Sequence, residues 1–588
     1  MFSDKLPHIN HTAEFCVVGG GLAGLAAAVA AARHGTNTIL IHDRPVLGGN
    51  ASSECRMWIS GARNDVHETG IVEELKLENN YRNPELNWHI WDTILYEIAH
   101  FQPNLTVLMN ASACNVKMDK NTIKTVDAWQ TTTQTWHHVS AKTFADCSGD
   151  SILAPLTGAD FRIGREARAE FNEDIQPEQA DNKTMGLSCL IQVRELTRKT
   201  TFIPPKWANK YLTDEDLPNR GHAFRGLNNF WWIELGGEDD SIHDTEIITK
   251  RLLAAALGVW DHIKNHGDHG ADNWALDWIG FLPGKRESRR YLGDHILTQN
   301  DIRAEGRFHD VVAYGGWTMD DHHPGGLNFK GQPTIFHPAP SPYGIPFRCL
   351  YSRNVGNLLV AGRNISVTHA ALSSTRVMGT CAILGQAAGT AAAIATKYNC
   401  TPRDVAKNHI EELQDILLDD DCFIPGLTRK IPAATKNATI TASEGNPEVL
   451  INGCDRPMDG HDNAWSAKPK AWAKIDFNQE THITKVRIVF DSDLNRKGQG
   501  DCGHFEERNL LSSYPLNQPI RPVPKTLVKK FSVLAQLKDQ SWTTIHEEND
   551  AHQRLVAINV DVSCTAIKLV LHETWGNELC KLFAFQAS

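Results

Sequence analysis

Gly19, Gly21 and Gly24 stand between an apolar run, Phe15-Cys-Val-Val18, and an alanine-rich run that reaches His34. Glycines at this spacing bind a pyrophosphate. Gly19 permits a tight turn, Gly21 lets backbone N–H groups approach a phosphate with no Cβ in the way, and Gly24 lets a helix pack close to the preceding strand. The anion then rests on the helix N-terminus, where unpaired N–H groups and the helix dipole favour negative charge. A second strand, Thr38-Ile-Leu-Ile41, follows, and an acid about 20 residues beyond the glycines accepts hydrogen bonds from a ribose. His42 occupies the usual place of that acid and Asp43 comes next, with Arg44 in reach of a phosphate or an adenine face. The Asp43-Arg44 pair does not settle NAD against NADP.

Just past this strand, Pro45-Val-Leu-Gly-Gly-Asn-Ala-Ser-Ser-Glu54 carries a second Gly-Gly. With it the chain resembles the FAD-dependent oxidoreductases of the glutathione-reductase-like class, and within them the FAD_oxidored family. The resemblance continues through Phe144-Ala-Asp-Cys-Ser-Gly-Asp150, Phe281-Leu-Pro-Gly-Lys-Arg-Glu-Ser-Arg-Arg290 and Asn357-Leu-Leu-Val-Ala-Gly-Arg363, over about the first 400 residues. It implies FAD as cofactor, with Gly48, Gly49, Asn50 and Ser53 on the flavin side of the pyrophosphate. Asp150, Gly362 and Arg363 fall where the returning strands meet the cofactor. Ser373 to Gly389 would form one small-residue helix aimed at the flavin, whose dipole stabilises charge near N1 of reduced flavin.

The implied fold is α/β. A Rossmann-like FAD-binding domain (residues 1–150 and 351–400) holds an inserted α+β substrate domain (151–350). A linker (401–435) leads to a C-terminal all-β sandwich (436–588). That last region alternates apolar and polar residues in Ala471–Phe477, Ile483–Phe490, Phe531–Ala535 and Ala566–Leu571, between turn residues. Around Val449–Gly453 and Trp465 it resembles discoidin-like modules, which often bind carbohydrate; a structural or dimerisation role is the alternative.

Oxidation of an alcohol by flavin needs a base for the hydroxyl proton, and histidine suits neutral pH. His369, just before the second cofactor helix, is the preferred candidate, ahead of the adjacent pair His322 and His323. Arg289, Arg376 and Tyr314 are candidates to orient substrate. The cluster Lys285 to Arg290 has four cations around one carboxylate, which suits an anionic or polyhydroxylated ligand or else an ordinary ion-pair face. Cys55 falls near the flavin, but no second cysteine follows at redox spacing, which argues against disulfide reduction. The expected reaction is oxidation of a sugar or glycoside. Two alternatives are a redox-neutral glycosidase or lyase using transient oxidation, and a carbohydrate-binding protein with a vestigial flavin.

The chain has 588 residues, 41% hydrophobic, with 59 Lys+Arg against 70 Asp+Glu and a net charge of -11. That balance, with no basic run, argues against nucleic acid as a partner. Thirteen cysteines without CxxC or metal-ligand spacing imply reduced thiols in the cytoplasm and no metal. No apolar leader begins the chain, although a removed one would leave the same trace, and no continuous apolar run suggests a membrane span. A small molecule or carbohydrate is the expected partner, and a homo-oligomer is compatible with the sequence.

Overall fold

The computed structural model describes residues 5–62, 69–225, 229–458, 460–494, 510–518 and 520–588. The first apolar run forms strand β1 (Phe15–Val18), with all four residues buried. Gly19, at φ 102°, turns the chain into helix α1 (Leu22–Arg33). Strands β2 (Thr38–Ile41), β3 (Leu105–Leu108), β4 (Thr143–Asp146) and β5 (Leu358–Val360) complete a parallel sheet in the order β5-β4-β1-β2-β3. All but β3 are buried at every position, as a parallel sheet covered on both faces requires.

Helix α2 (Met378–Tyr398) lies against α1 at backbone contact distance. A Cβ on Gly385 or Gly389 would fall 2.0 or 2.1 Å from the carbonyl oxygens of Ala23 or Ala27. On the other side of the joint, a Cβ on Gly24 would fall 1.8 Å from the Gly19 oxygen. The single helix expected from Ser373 to Gly389 is in fact two. Residues His369–Thr375 form a short helix, the chain breaks at Arg376-Val377, and α2 starts after an extended Val377 (φ -66°, ψ 143°). One further expectation changes: α2, at 21 residues, is long and apolar enough to cross a membrane by length and composition, although 89% of its most apolar stretch is buried.

The chain divides into two compact units. One comprises the described residues of 1–72, 85–414 and 502–519; the other comprises those of 73–84, 415–501 and 520–588. The boundaries differ from those expected. Residues 151–350 belong to the same unit as the parallel sheet, and 401–435 is no linker, since it carries helices Pro402–Asn408 and Ile410–Asp419. Residues 510–518 join the first unit because Ser513-Tyr514 pair in parallel with Val193-Arg194. Within 151–350, short sheets and the helix Thr245–Asn265 enclose an apolar core that includes Leu187, Phe224, Trp260 and Trp274.

The second unit is antiparallel β throughout its sheet. The separate strands expected at 471–477 and 483–490 merge into one, Trp472–Phe490, which pairs with Leu555–Thr574 through two register shifts. Their inward residues, with Trp465, Phe531 and Leu569, build this unit's core. Buried ion pairs brace it, Arg554 to Asp421 at 2.7 Å and Arg487 to Asp455 at 2.8 Å.

Because the α1–α2 joint leaves no room for a Cβ, Gly385→Val should destabilise the first unit by about 2–3 kcal/mol or more. Gly35→Ala, at φ 82° but with no atom within 4 Å of the added carbon, should cost only about 1–2 kcal/mol of backbone strain. Denaturant unfolding of both variants checks the ranking, and equal losses would contradict it.

Candidate active site

The two glycine segments meet. Gly48 N–H donates to the Gly20 oxygen at 2.8 Å, and a Cβ on Gly49 would lie 3.1 Å from the Gly21 Cα. His42 holds this meeting point from behind. Its Nδ1 accepts from Gly20 N–H at 3.0 Å and its Nε2 donates to the Val46 oxygen at 2.8 Å. Burial pushes His42 below its ordinary pKa, in keeping with that neutral form. Both nitrogens of His42 are committed, whereas Asp43 has a 59% exposed side chain; both residues border a cavity of about 1130 Å³.

Gly19, Gly21, Arg44, Gly48, Gly49 and Asn50 line the same cavity, as do Asp150, Gly362 and Arg363. Gly24 does not, since its place is the helix–strand joint. Asp146, at the end of β4, shapes the approach to Asp150 by accepting from Ser148 N–H at 2.9 Å, Leu153 N–H at 2.8 Å and the Tyr291 hydroxyl at 2.6 Å. Asp150 receives Lys285 at 2.7 Å, Arg363 at 2.6 Å and the Ser288 hydroxyl at 2.8 Å. Burial opposes its charge, but Arg363 and Lys285 outweigh burial and hold the carboxyl below its ordinary value. Ser53 is a correction: it is buried, its N–H donates to Asp92 at 3.1 Å, and it does not border the cavity.

A second charged row runs along the cavity wall. Arg286 meets Glu234 at 3.2 Å, Glu234 meets His322 Nδ1 at 2.6 Å, His322 Nε2 meets Asp320 at 3.2 Å, and Asp320 meets Arg376 at 3.2 Å. Burial opposes charge on Asp320, yet His322 and Arg376 hold its carboxyl far below the usual range. Asp320, His322, Arg376, Arg286 and Arg289 line the cavity together with Trp231, Trp317 and Phe336. The Lys285–Arg290 cluster is no solvated face, since Arg286, Arg289 and Arg290 are at least nine-tenths buried. Arg290 instead pairs internally with Glu166 at 3.1 Å.

Three expected catalytic residues lie elsewhere. His369 does not border the cavity, and its Nδ1 and Nε2 lie 2.8 Å from Glu287 and 3.2 Å from Asp321. His323 follows His322 with the opposite orientation and stacks on Phe329 at 3.6 Å between ring centroids. Tyr314 is fully buried in strand Val311–Gly315, away from the cavity. The sequence reading did not single out Asp320, Glu234, Trp231 or Trp317. Strand periodicity in Met319–His322 was the available signal for Asp320, because residues two apart share a face. Cys55 is buried at 1% exposure, and burial pushes its thiol up to about 11, so it stays protonated at neutral pH.

Although burial disfavours a charged His369, Glu287 and Asp321 raise its pKa to about 10 from an ordinary 6.5. A raised folded-state pKa stabilises fully below about pH 6.5, and that stability is lost as pH rises through about 10. Melting temperature should therefore fall between pH 7 and 10 more steeply in the wild type than in His369→Gln. Parallel slopes would show that His369 carries no such charge.

No curated protein matches the chain closely. Among solved structures, a family 32 carbohydrate-binding module from Streptococcus pneumoniae EndoD is similar at 11% identity and TM-score 0.19, over 26% of this chain and 97% of its own. The family 32 module of Clostridium perfringens NanJ, solved with galactose, matches at 10% identity and TM-score 0.19, over 26% and 95%. The family model described as FAD dependent oxidoreductase matches residues 14–417, a span that takes in both glycine turns, Asp150, the Asp320–His322 strand and Arg363. The chain belongs to the FAD dependent oxidoreductase family, and its cofactor is FAD.

Proposed function

We propose that this flavoenzyme oxidises a polar alcohol, with a sugar or glycoside as substrate class, and that residues 151–350 supply the substrate wall over a Rossmann-like frame. The observation that carries this reading is the pairing of Asp320 and His322 beside Trp231 and Trp317, in the cavity that the glycine turns also border. Flat apolar rings next to forked charged donors suit a polyhydroxylated ring, which offers C–H faces and hydroxyl edges at once.

The residues present fit FAD. A Cβ on Gly21 would meet nothing nearer than the Gly49 Cα at 3.9 Å, so the space there is open to a phosphate and would be taken by a side chain. Gly21 caps α1 without a side-chain hydrogen bond, leaving the N-terminal N–H groups of a 12-residue helix for an anion. In our reading Gly19, Gly21, Gly48 and Gly49 cradle the pyrophosphate, Asp43 and Arg44 hold the adenosine end, and Asn50, Asp150, Gly362 and Arg363 hold the flavin side. FAD bound there supplies the acceptor for a hydride.

The protein's own part is proton handling and orientation. In this reading the substrate hydroxyl takes the place of Asp320 at His322 Nε2, which then accepts the hydroxyl proton, while Glu234 on Nδ1 fixes the ring. Arg289 and Arg376 line the cavity, and their guanidinium groups orient substrate oxygens.

Gly21→Val keeps an allowed backbone (φ -63°, ψ 176°) yet fills the cradle, so it should purify folded but colourless. Yellow, FAD-loaded variant would refute the cradle. His322→Asn should retain FAD and slow anaerobic flavin bleaching by a panel of sugars by about 10²-fold or more. Unchanged bleaching would exclude His322. Sugar turnover with no acceptor and no net bleaching would replace this reading with a redox-neutral elimination, and flavin that dithionite reduces but no sugar does would leave only a binding role.

A further inference from the structure

Away from the cavity, residues 151–350 bring together Asp214, His222, His262 and His269, with one potential ligand atom of each lying within 4.8 Å of all the others. None of the four borders the cavity. They come from separate segments: the one-turn helix Asp214–Asp216, the loop at His222, the last turn of helix Thr245–Asn265 and the loop just beyond it. Asp214 Oδ1 lies 3.1 Å from His262 Nε2, 3.5 Å from His222 Nδ1 and 3.6 Å from His269 Nε2. Ligands about 2.0–2.1 Å from one tetrahedral ion stand roughly 3.3–3.4 Å apart, so these separations need only small adjustments.

The surroundings favour a cation over a plain hydrogen-bond cluster. His262 Nδ1 lies 3.1 Å from the Tyr211 carbonyl, the kind of outer hydrogen bond that orients metal-bound imidazoles, and Nε2 faces Asp214 Oδ1 at 3.1 Å, where its proton would give way to an ion. Three imidazoles crowd round one carboxylate oxygen, their centroids 4.7, 5.0 and 4.9 Å apart. The buried His269 Nε2, the ring atom 3.6 Å from Asp214, has no hydrogen-bond partner among the described residues. Asp214 is 68% exposed, which leaves a path for an ion from solvent.

We propose that Asp214, His222, His262 and His269 form a structural zinc site that pins two loops to the end of the Thr245–Asn265 helix. Three imidazole nitrogens and one carboxylate oxygen suit a divalent first-row ion, and four protein ligands close the tetrahedron, so the site holds structure and has no open position for a substrate. The spacing of the four residues in the sequence gives no metal signature, because they are drawn from four segments; the expectation of no metal rested on cysteine pattern alone.

The test uses tag-free, FAD-loaded protein stripped with a chelator and titrated with zinc chloride. The expected result is about one zinc per chain, a raised melting temperature, and binding at least tenfold weaker in a His222→Gln/His269→Gln double variant that keeps its FAD. Wild-type protein that takes up no stoichiometric zinc overturns the proposal, and so does a double variant that binds zinc as the wild type does. If the double variant loses FAD, Asp214→Asn on the exposed turn replaces it under the same two criteria.

Discussion

The first unit depends on backbone meeting backbone without side chains between. Gly24 closes α1 onto the turn at Gly19, Gly385 and Gly389 close α2 onto α1, and Gly49 rests on Gly21. The contacts at Gly24, Gly385 and Gly389 exclude a Cβ, and with the close approach of Gly49 to Gly21 they fix where the α1 N-terminus stands relative to the ends of the parallel strands. Dispersion across such close contacts is small per atom and large in sum, so the arrangement is rigid where an anion must be met by fixed N–H groups. His42 then locks the turn from the rear through two hydrogen bonds, using a polar side chain where an apolar one could not specify the register.

Around that frame the cavity wall is built from charges that neutralise one another. Asp150 between Lys285 and Arg363, and Glu234 and Asp320 between Arg286, His322 and Arg376, keep every buried carboxylate of the wall beside a cation. Removing one partner would leave an uncompensated buried charge, which is far more costly than the pair itself is favourable. The wall therefore has little freedom to rearrange, and Arg289 and Arg376 are held in place by the Asp150 carbonyl and Asp320.

The first glycine turn, β1, β2, Asp43 and Arg44 were legible because their spacing is local and their chemistry follows from backbone geometry, whereas β4, Asn50, Asp150 and Arg363 were placed by family resemblance. His369 misled because a histidine before a cofactor helix looks catalytic until its partners are known, and Glu287 and Asp321 lie 82 and 48 residues away in the chain. Asp320 and His322 carried a signal, a period of two on a strand, but Met319–His322 is only four residues long and its strand character was not apparent. The break at Arg376-Val377 was invisible for a different reason. Small residues continue through it, and only the extended Val377 backbone ends one helix and starts the next. The fusion of 471–477 with 483–490 likewise depends on pairing with Leu555–Thr574, which no local pattern shows.

Neither unit is written in a single stretch of chain. The first needs Ser513 and Tyr514 for its strand beside Val193, and the Leu511 carbonyl accepts from the buried Trp88 indole at 3.0 Å and from Gln192 at 2.7 Å. The second needs residues 73–84, where Glu78 meets His552 at 2.7 Å and Glu73 accepts from the Ser492 hydroxyl at 2.5 Å. During synthesis, then, the cofactor-binding unit stays unfinished until more than 510 residues have emerged, and residues 73–84 wait for almost the whole chain. Chains of this size usually fold domain by domain from the N-terminus; here each unit draws on both early and late segments, so neither is completed by an N-terminal stretch alone.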